Sequence, residues 1–348
     1  MTGDLIDDLL AGKHRALARV ITRIENRQPG YRDLVSRLHE HTGSADVVGI
    51  TGSPGAGKST LVDKMAATYR EQGLTVGIIA IDPSSPFTGG AVLGDRIRMG
   101  SNVGDMDVFF RSMSARGSLG GLSTATTDAV KALDAFGKDK VIIETVGAGQ
   151  NEIDVVKTAD TVAVLVPPGS GDDVQMLKAG ILEIGDVFVV NKADLKGADR
   201  TVQELREMLE YRDDGAPQSL GHHGPESTQD PVDSSQTDSD DEAEWMPPIV
   251  ETVANRGEGI EDMLDALADH RAYLDSSGRL AERQHTRYVE EIRTLMREDL
   301  SDLLEEEIDR QGGIEQYVDR VRNREIDPYG VSDELLGPLI ECVEGNRE

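Results

Sequence analysis

The chain has 348 residues, and 65 Asp and Glu against 36 Lys and Arg leave a formal charge of −29, which repels phosphate backbones and anionic lipid and so argues against nucleic-acid and membrane partners. Cys342 is the one cysteine, so an internal disulfide and a multi-cysteine metal cage are both excluded within a chain. No apolar run approaches the roughly 20 residues that span a bilayer, Met1-Thr2-Gly3-Asp4 opens without a signal-like core, and the expected location is cytoplasmic.

Leu5, Leu9, Leu10, Leu17, Val20, Ile21 and Ile24 fall at helical spacing and predict one striped helix that Pro29-Gly30 ends. A second short helix carries Leu34, Val35 and Leu38. This arm suits packing on its own domain, with docking of a partner as the alternative.

Asp46-Val47-Val48-Gly49-Ile50-Thr51 reads as a buried strand, and Leu61, Val62, Met65 and Ala66 recur at helical spacing. Between them Gly52-Ser53-Pro54-Gly55-Ala56-Gly57-Lys58-Ser59-Thr60 fits G-x-x-x-x-G-K-[ST], the phosphate-binding loop, in the strand-loop-helix context its chemistry needs. Backbone N–H groups can curl round phosphates, Lys58 can reach the terminal ones and Ser59 can ligate Mg²⁺ at a helix N-terminus.

A strand over residues 75–81 ends in Asp82-Pro83-Ser84-Ser85-Pro86, with a carboxylate at the strand edge where ligands of open α/β sheets gather. Residues 89–99 join paired glycines to Asp95, Arg96 and Arg98, the make-up of a switch segment or of an ordinary capped turn. Val108-Phe109-Phe110 is a strand, and a helix from about Leu122 to Phe136 stops at Gly137. Lys140-Val141-Ile142-Ile143-Glu144 is a buried strand ending in acid, with Gly147 three residues on, an arrangement that can hold Mg²⁺ through water and sense a γ-phosphate. Ala148 replaces the glutamine that positions water in many such proteins, leaving Asp82, Gln150 or a partner to supply that group.

Residues 161–166 form a further strand before Gly169-Ser170-Gly171-Asp172-Asp173, and residues 187–190 run into Asn191-Lys192-Ala193-Asp194, which fits N-K-x-D. Asp194 can accept hydrogen bonds from both N1–H and the 2-amino group of guanine, whereas adenine would leave its charge unpaired. Residues 213–244 carry ten acids and no Lys or Arg and are expected to lack order; His222-His223 within them reads as a solvated pair rather than a metal site. The sheet resumes at residues 249–253, Val253, Ala254 and Asn255 lie where a last loop closes on the base, and Gly257-Glu258-Gly259 opens a helix. Beyond Gly278 a long helix carries Val289, Ile292, Leu295, Met296, Leu300, Leu303, Leu304 and Ile308 on one face, which needs the core or a second subunit as cover. A last short helix follows Asp327-Pro328.

Together the phosphate loop, Asp82-Pro83-Ser84-Ser85-Pro86, Thr88-Gly89-Gly90, Leu93-Gly94-Asp95-Arg96, Glu144-Thr145-Val146-Gly147 and Asn191-Lys192-Ala193-Asp194 resemble the MeaB/ArgK GTPases over nearly the whole chain. The resemblance implies an α/β P-loop NTPase fold, a mostly parallel sheet with helices on both faces, extended by N- and C-terminal helices. The expected division is a helical arm over residues 1–45, a GTPase domain over 46–275 with the acidic insertion, and a dimerisation region over 276–348. It also implies GTP/GDP and Mg²⁺ as cofactors, a homodimer, and a chaperone role toward adenosylcobalamin-dependent acyl-CoA mutases, chiefly methylmalonyl-CoA mutase. On that pattern Lys58 binds phosphates, Ser59, Asp95 and Glu144 serve the metal, Asp82 orients water, and Asn191, Lys192 and Asp194 hold guanine. Gly169-Ser170-Gly171-Asp172-Asp173 is similar to the family's additional switch loop. The chain departs from the pattern at the acidic insertion and at Val253, where a serine is commoner. A P-loop kinase of a transport system and a metal-delivery GTPase are the rival readings; Asp194 argues against the first and the want of a Cys/His cluster against the second. The dispersed acidic excess is similar to that of proteins from salt-rich cytoplasm, a halophilic character.

Overall fold

In the computed structural model the described residues are 2–82, 104–114, 121–145, 158–169, 181–215, 244–310 and 312–345. The chain divides into two compact units, Met1–Arg287 and Tyr288–Glu348. The first holds the seven strands found among the described residues.

Three helices open the chain: α1 (Thr2–Leu10), α2 (His14–Glu25) and α3 (Tyr31–His39). The single striped helix expected over the first two is in fact broken between Leu10 and His14. Gly12 adopts φ 76°, the Lys13 N–H donates to Asp8 O (3.1 Å) and the Gly12 N–H to Leu9 O (2.9 Å), which caps α1 and turns the chain. Alternating strands and helices follow as β1 (Asp46–Gly52), α4 (Lys58–Glu71), β2 (Val76–Asp82), β3 (Val108–Ser114), α5 (Gly121–Ala135) and β4 (Lys140–Glu144). Then come β5 (Thr161–Val166), the single turn α6 (Ile181–Ile184), β6 (Val187–Asn191), α7 (Ala198–Gly215), β7 (Ile249–Thr252) and α8 (Ile260–Ser276). Of the segment expected to lack order, residues 213–215 complete α7 and residues 216–243 lie outside the described residues.

Every strand pairing is parallel, in the order β3-β2-β4-β1-β5-β6-β7. Parallel sheets are covered on both faces, so their strands read as continuous apolar runs, and β5 is buried at every position. Alternation then decides which face each side chain serves: Val47 joins one core and Val48 the other. The first core unites this sheet face with α1, α2, α3, α5 and α7, through Leu17, Ile21, Leu34, Leu133 and Leu205. The second unites the opposite face with α4 and α8, through Leu61, Met65, Met263 and Leu267. The N-terminal helices are thus part of the first unit's own core, and an ion pair from Arg111 of β3 to Glu25 of α2 ties them to the sheet edge.

A third apparatus closes the N-terminal edge of the sheet. Asp160 and Asp186, placed just before β5 and β6, accept the N–H groups of Val47 (3.1 Å) and Val162 (2.9 Å). Arg271 of α8 and Arg287 pair with Asp160 at 3.0 and 2.5 Å, and Arg283 takes Asp186 with two nitrogens at 2.8 and 3.1 Å. Arg283 and Arg287 lie near the start of α9 (Arg279–Arg310), whose first turns the network holds to the sheet. His270 sits beneath, fully buried, its Nδ1 2.8 Å from Thr161 Oγ1 and its Nε2 3.3 Å from Asp186 Oδ1. Trp245 lies against His270, ring centroids 4.8 Å apart, and its Nε1–H donates to Asp186 O (2.8 Å).

The second unit comprises the rest of α9 with α10 (Glu315–Arg322) and α11 (Pro328–Gly345). α10 was not foreseen from the sequence, and α11, at 18 residues, is longer than the short helix expected there. On α9, Tyr288, Ile292, Met296, Leu300 and Leu303 are exposed at a spacing that sets them on one face.

Candidate nucleotide site

Because the strands are parallel, β1, β4, β6 and β7 deliver their last residues to one edge of the sheet, with β1 in the middle. Ligands of open α/β sheets collect at that edge. The phosphate loop leaves β1 there. Gly52 ends the strand, Ala56 is buried, and Gly57, at φ 98°, stands immediately before α4. A Cβ on Gly57 would come within 2.4 Å of the Asn191 amide nitrogen, so no other residue fits this approach. Lys58 opens α4, is 6% exposed, and donates to Gly52 O (2.7 Å) and Ser53 O (3.1 Å). Its ammonium is thereby folded back over the loop beside the positive end of a 14-residue helix.

Ser59 follows, and its hydroxyl donates to Glu144 Oε1 at 2.5 Å. Glu144 is the last residue of β4 and is 8% exposed. A serine hydroxyl and a carboxylate in contact are oxygen donors of the class Mg²⁺ takes, and the longer glutamate side chain reaches Ser59 directly from the strand end. Among the described residues no group of three or more His, Cys, Asp or Glu is arranged to hold a metal. β4 is fastened beside β1 here, Thr145 N–H donating to Ile50 O (3.0 Å) and Thr145 Oγ1–H to Thr51 Oγ1 (3.0 Å).

Asn191 joins the pieces. It ends β6, is 2% exposed, and its amide N–H₂ donates to Ala56 O of the phosphate loop (2.7 Å). Its Oδ1 accepts from Thr252 Oγ1–H (3.1 Å) and from the Ala254 N–H (3.1 Å), at the end of β7 and just beyond it. One side chain therefore sets the phosphate loop, the N-K-x-D segment and the last loop at fixed distances. Lys192 adopts φ 64°, a left-handed conformation uncommon for a long side chain, and its Nζ donates to Gly55 O (2.8 Å), lying over the phosphate loop. Asp194 is 30% exposed at the side chain and is met by Arg256 Nη2 at 3.2 Å from its Oδ2. Val253 and Ala254 are buried and Asn255 is exposed.

Of the remaining candidates, Asp82 closes β2, paired in register with Ser114, at the same sheet edge, while its side chain lies outside the described residues. Asp95 with its segment, Gly147, Gln150, Asp172, Asp173 and the His222-His223 pair also lie outside them. Sequence reasoning did not single out Thr252 or Arg256. Both are defined by contacts across the fold, and neither belongs to a spaced motif.

A family model described as "Methylmalonyl Co-A mutase-associated GTPase MeaB" matches residues 17–309. That is most of the chain, and it includes the phosphate loop, Glu144 and the N-K-x-D segment. The chain belongs to the MeaB GTPase family. It is 47% identical to a putative GTPase of Pyrococcus abyssi over 98% of this chain and 97% of that one. It is 33% identical to GTPase ArgK of Escherichia coli strain K12, over 92% and 91% of the two chains. A mouse protein named methylmalonic aciduria type A homolog, mitochondrial, is 30% identical over 82% of this chain and 66% of its own length. The fold is also that of a crystal structure titled LAO/AO transport system kinase, with a TM-score of 0.65 at 24% identity over 98% and 97% of the chains. As a MeaB-family member this is a P-loop enzyme that binds guanine nucleotide and hydrolyses GTP.

Proposed function

We propose that this GTPase is a nucleotide-dependent chaperone of an adenosylcobalamin-dependent acyl-CoA mutase, methylmalonyl-CoA mutase first among them, working as a homodimer with its GTP state coupled to cofactor loading and protection. The observation that carries the mutase is the family match over residues 17–309, a family described by its association with that enzyme. The exposed face of Tyr288, Ile292, Met296, Leu300 and Leu303 supports the dimer, since a row of large apolar side chains on a helix is stable in water only when something covers it.

Within the site, the loop N–H groups and Lys58 hold the phosphates, and the carbonyls that Lys58 now occupies are exchanged for terminal phosphate oxygens. Ser59 and Glu144 would hold Mg²⁺, with Asp95 also serving it. Bound Mg²⁺ supplies positive charge against the phosphate oxygens. Asp82 orients the attacking water, which no glutamine after Gly147 does here. Asp194 reads guanine, Lys192 covers the base from the phosphate-loop side, Asn191 fixes both, and Val253, Ala254 and Asn255 close the pocket.

Affinity capture of the tagged chain from its native cytoplasm, run in parallel with a non-hydrolysable GTP analogue and with GDP, tests the partner. An acyl-CoA mutase identified by mass in one nucleotide state is expected. Recovery of the chain without any such enzyme in either state would sink the proposal.

A further inference from the structure

The chain beyond β7 forms a small closed loop. Val253 N–H donates to Glu258 O (3.0 Å) in an antiparallel bridge, Arg256 N–H to Val253 O (2.8 Å) and Gly257 N–H to Ala254 O (3.2 Å). Ala254–Arg256 is one 3₁₀ turn, and the Ala254 N–H is held by Asn191 Oδ1 (3.1 Å). The backbone of Arg256 is consequently fixed to the N-K-x-D segment through Asn191. Its side chain crosses from this turn to Asp194, Nη2 at 3.2 Å from Oδ2, with Nη1 4.0 Å from Glu258 Oε1. Arg256 is 57% exposed against 30% for Asp194, so the guanidinium stands at the solvent side of the carboxylate.

From this geometry we infer that Arg256 is a specificity-determining positioning residue, holding the Asp194 carboxylate in a fixed rotation so that both of its oxygens serve the purine base. The inference rests on the reading of Asp194 as the guanine acceptor. A terminal carboxylate rotates in a broad well, so without a partner the place of its second oxygen is blurred. A guanidinium 3.2 Å from Oδ2 biases that rotation toward one setting. It also leaves acceptor capacity for the base, because an ionised carboxylate offers about four lone-pair sites. Guanine, with N1–H and a 2-amino group, uses both oxygens. Hypoxanthine lacks the 2-amino group and uses one. Loss of Arg256 should therefore cost GTP more than ITP, which a merely structural weakening would not do.

Calorimetric Kd values for GTP and ITP, measured on the full chain as wild type, Arg256→Ala, Arg256→Lys and Asp194→Asn, test the inference. Arg256→Ala should weaken GTP binding about two- to fivefold, the scale of a partly exposed ion pair, and narrow the GTP-to-ITP preference. Arg256→Lys should restore part of that preference, keeping the charge without the planar fork. Asp194→Asn should abolish it. A preference unchanged in Arg256→Ala but lost in Asp194→Asn would overturn the role of Arg256 and leave the base site standing. Wild-type preference in Asp194→Asn would overturn the base site itself and the inference with it. Tighter GTP binding by Arg256→Ala would mean that the guanidinium competes with the base, and would also overturn it.

Discussion

Asn191 is a single buried amide that satisfies three groups on two other segments of chain: Ala56 O of the phosphate loop, and Thr252 Oγ1–H and the Ala254 N–H at the end of β7 and just beyond it. Replacing it with alanine would orphan all three where water cannot reach them freely. Each such group costs about 1–3 kcal/mol, and the losses are not additive. Asn191→Ala should therefore lower the thermal midpoint and weaken GTP and GDP together, because the phosphate loop and the last loop lose their common tie. A parallel denaturation and nucleotide titration checks this. Weakened binding at unchanged stability would make Asn191 a base contact only. At this scale the motifs located the residues that the structure brings together around the phosphate loop. Gly57, Lys58, Ser59, Asn191 and Asp194 could be placed because fixed spacing in a strand-loop-helix context leaves few alternatives. Arg256 could not, since its meeting with Asp194 depends on a turn 62 positions further along the sequence.

Among the elements, the strands were legible because burial on both faces makes them continuous apolar runs, as in residues 161–166 and 187–190. The break at Gly12 was not, because the apolar positions on either side stay in helical phase and periodicity cannot detect a turn between them. α10 escaped for the opposite reason, having only Tyr317, Val318 and Val321 as apolar marks. The His270 cluster at the far sheet edge makes a testable statement of its own. Burial pushes the imidazole below its usual range, and the nearby Asp186 only partly opposes this. A depressed folded value means that the unfolded chain binds the proton more readily, so stability is kept above about pH 6.5 and lost as pH falls below it. Thermal midpoints between about pH 7.5 and 5.5 should fall in wild type and fall less in His270→Gln. Equal slopes in the two proteins would remove His270 from the balance. For α9, the paired change Met296→Asp with Leu300→Asp should convert a dimer to a monomer by light scattering while nucleotide binding persists, since both residues lie in the second unit. An unchanged dimer mass would put the interface elsewhere.

For the molecule as a whole, a charge of −29 opposes both compaction and the approach of a polyanionic nucleotide. Among the described residues, Lys58 and Lys192 lie over the phosphate loop and Arg256 beside Asp194, so they place the opposite sign along the candidate site. Salt shortens the reach of the surrounding carboxylates from about 10 Å at 0.1 M to about 3 Å at 1 M. The thermal midpoint should accordingly rise steadily into molar KCl, and a flat profile across that range would contradict a salt-adapted surface.

GTP turnover by the purified protein, measured in molar KCl with and without its mutase, tests the central coupling most directly. With Ala148 in place of a water-positioning glutamine the free enzyme should turn over slowly. A mutase that binds the hydrolysis-ready arrangement more tightly should accelerate it, by up to tenfold for each 1.4 kcal/mol or so of differential affinity. By linkage the mutase should then bind the GTP-analogue and GDP forms with different Kd values. Turnover indifferent to the mutase, together with a single Kd in both nucleotide states, would contradict the coupling and leave a GTPase of another pathway.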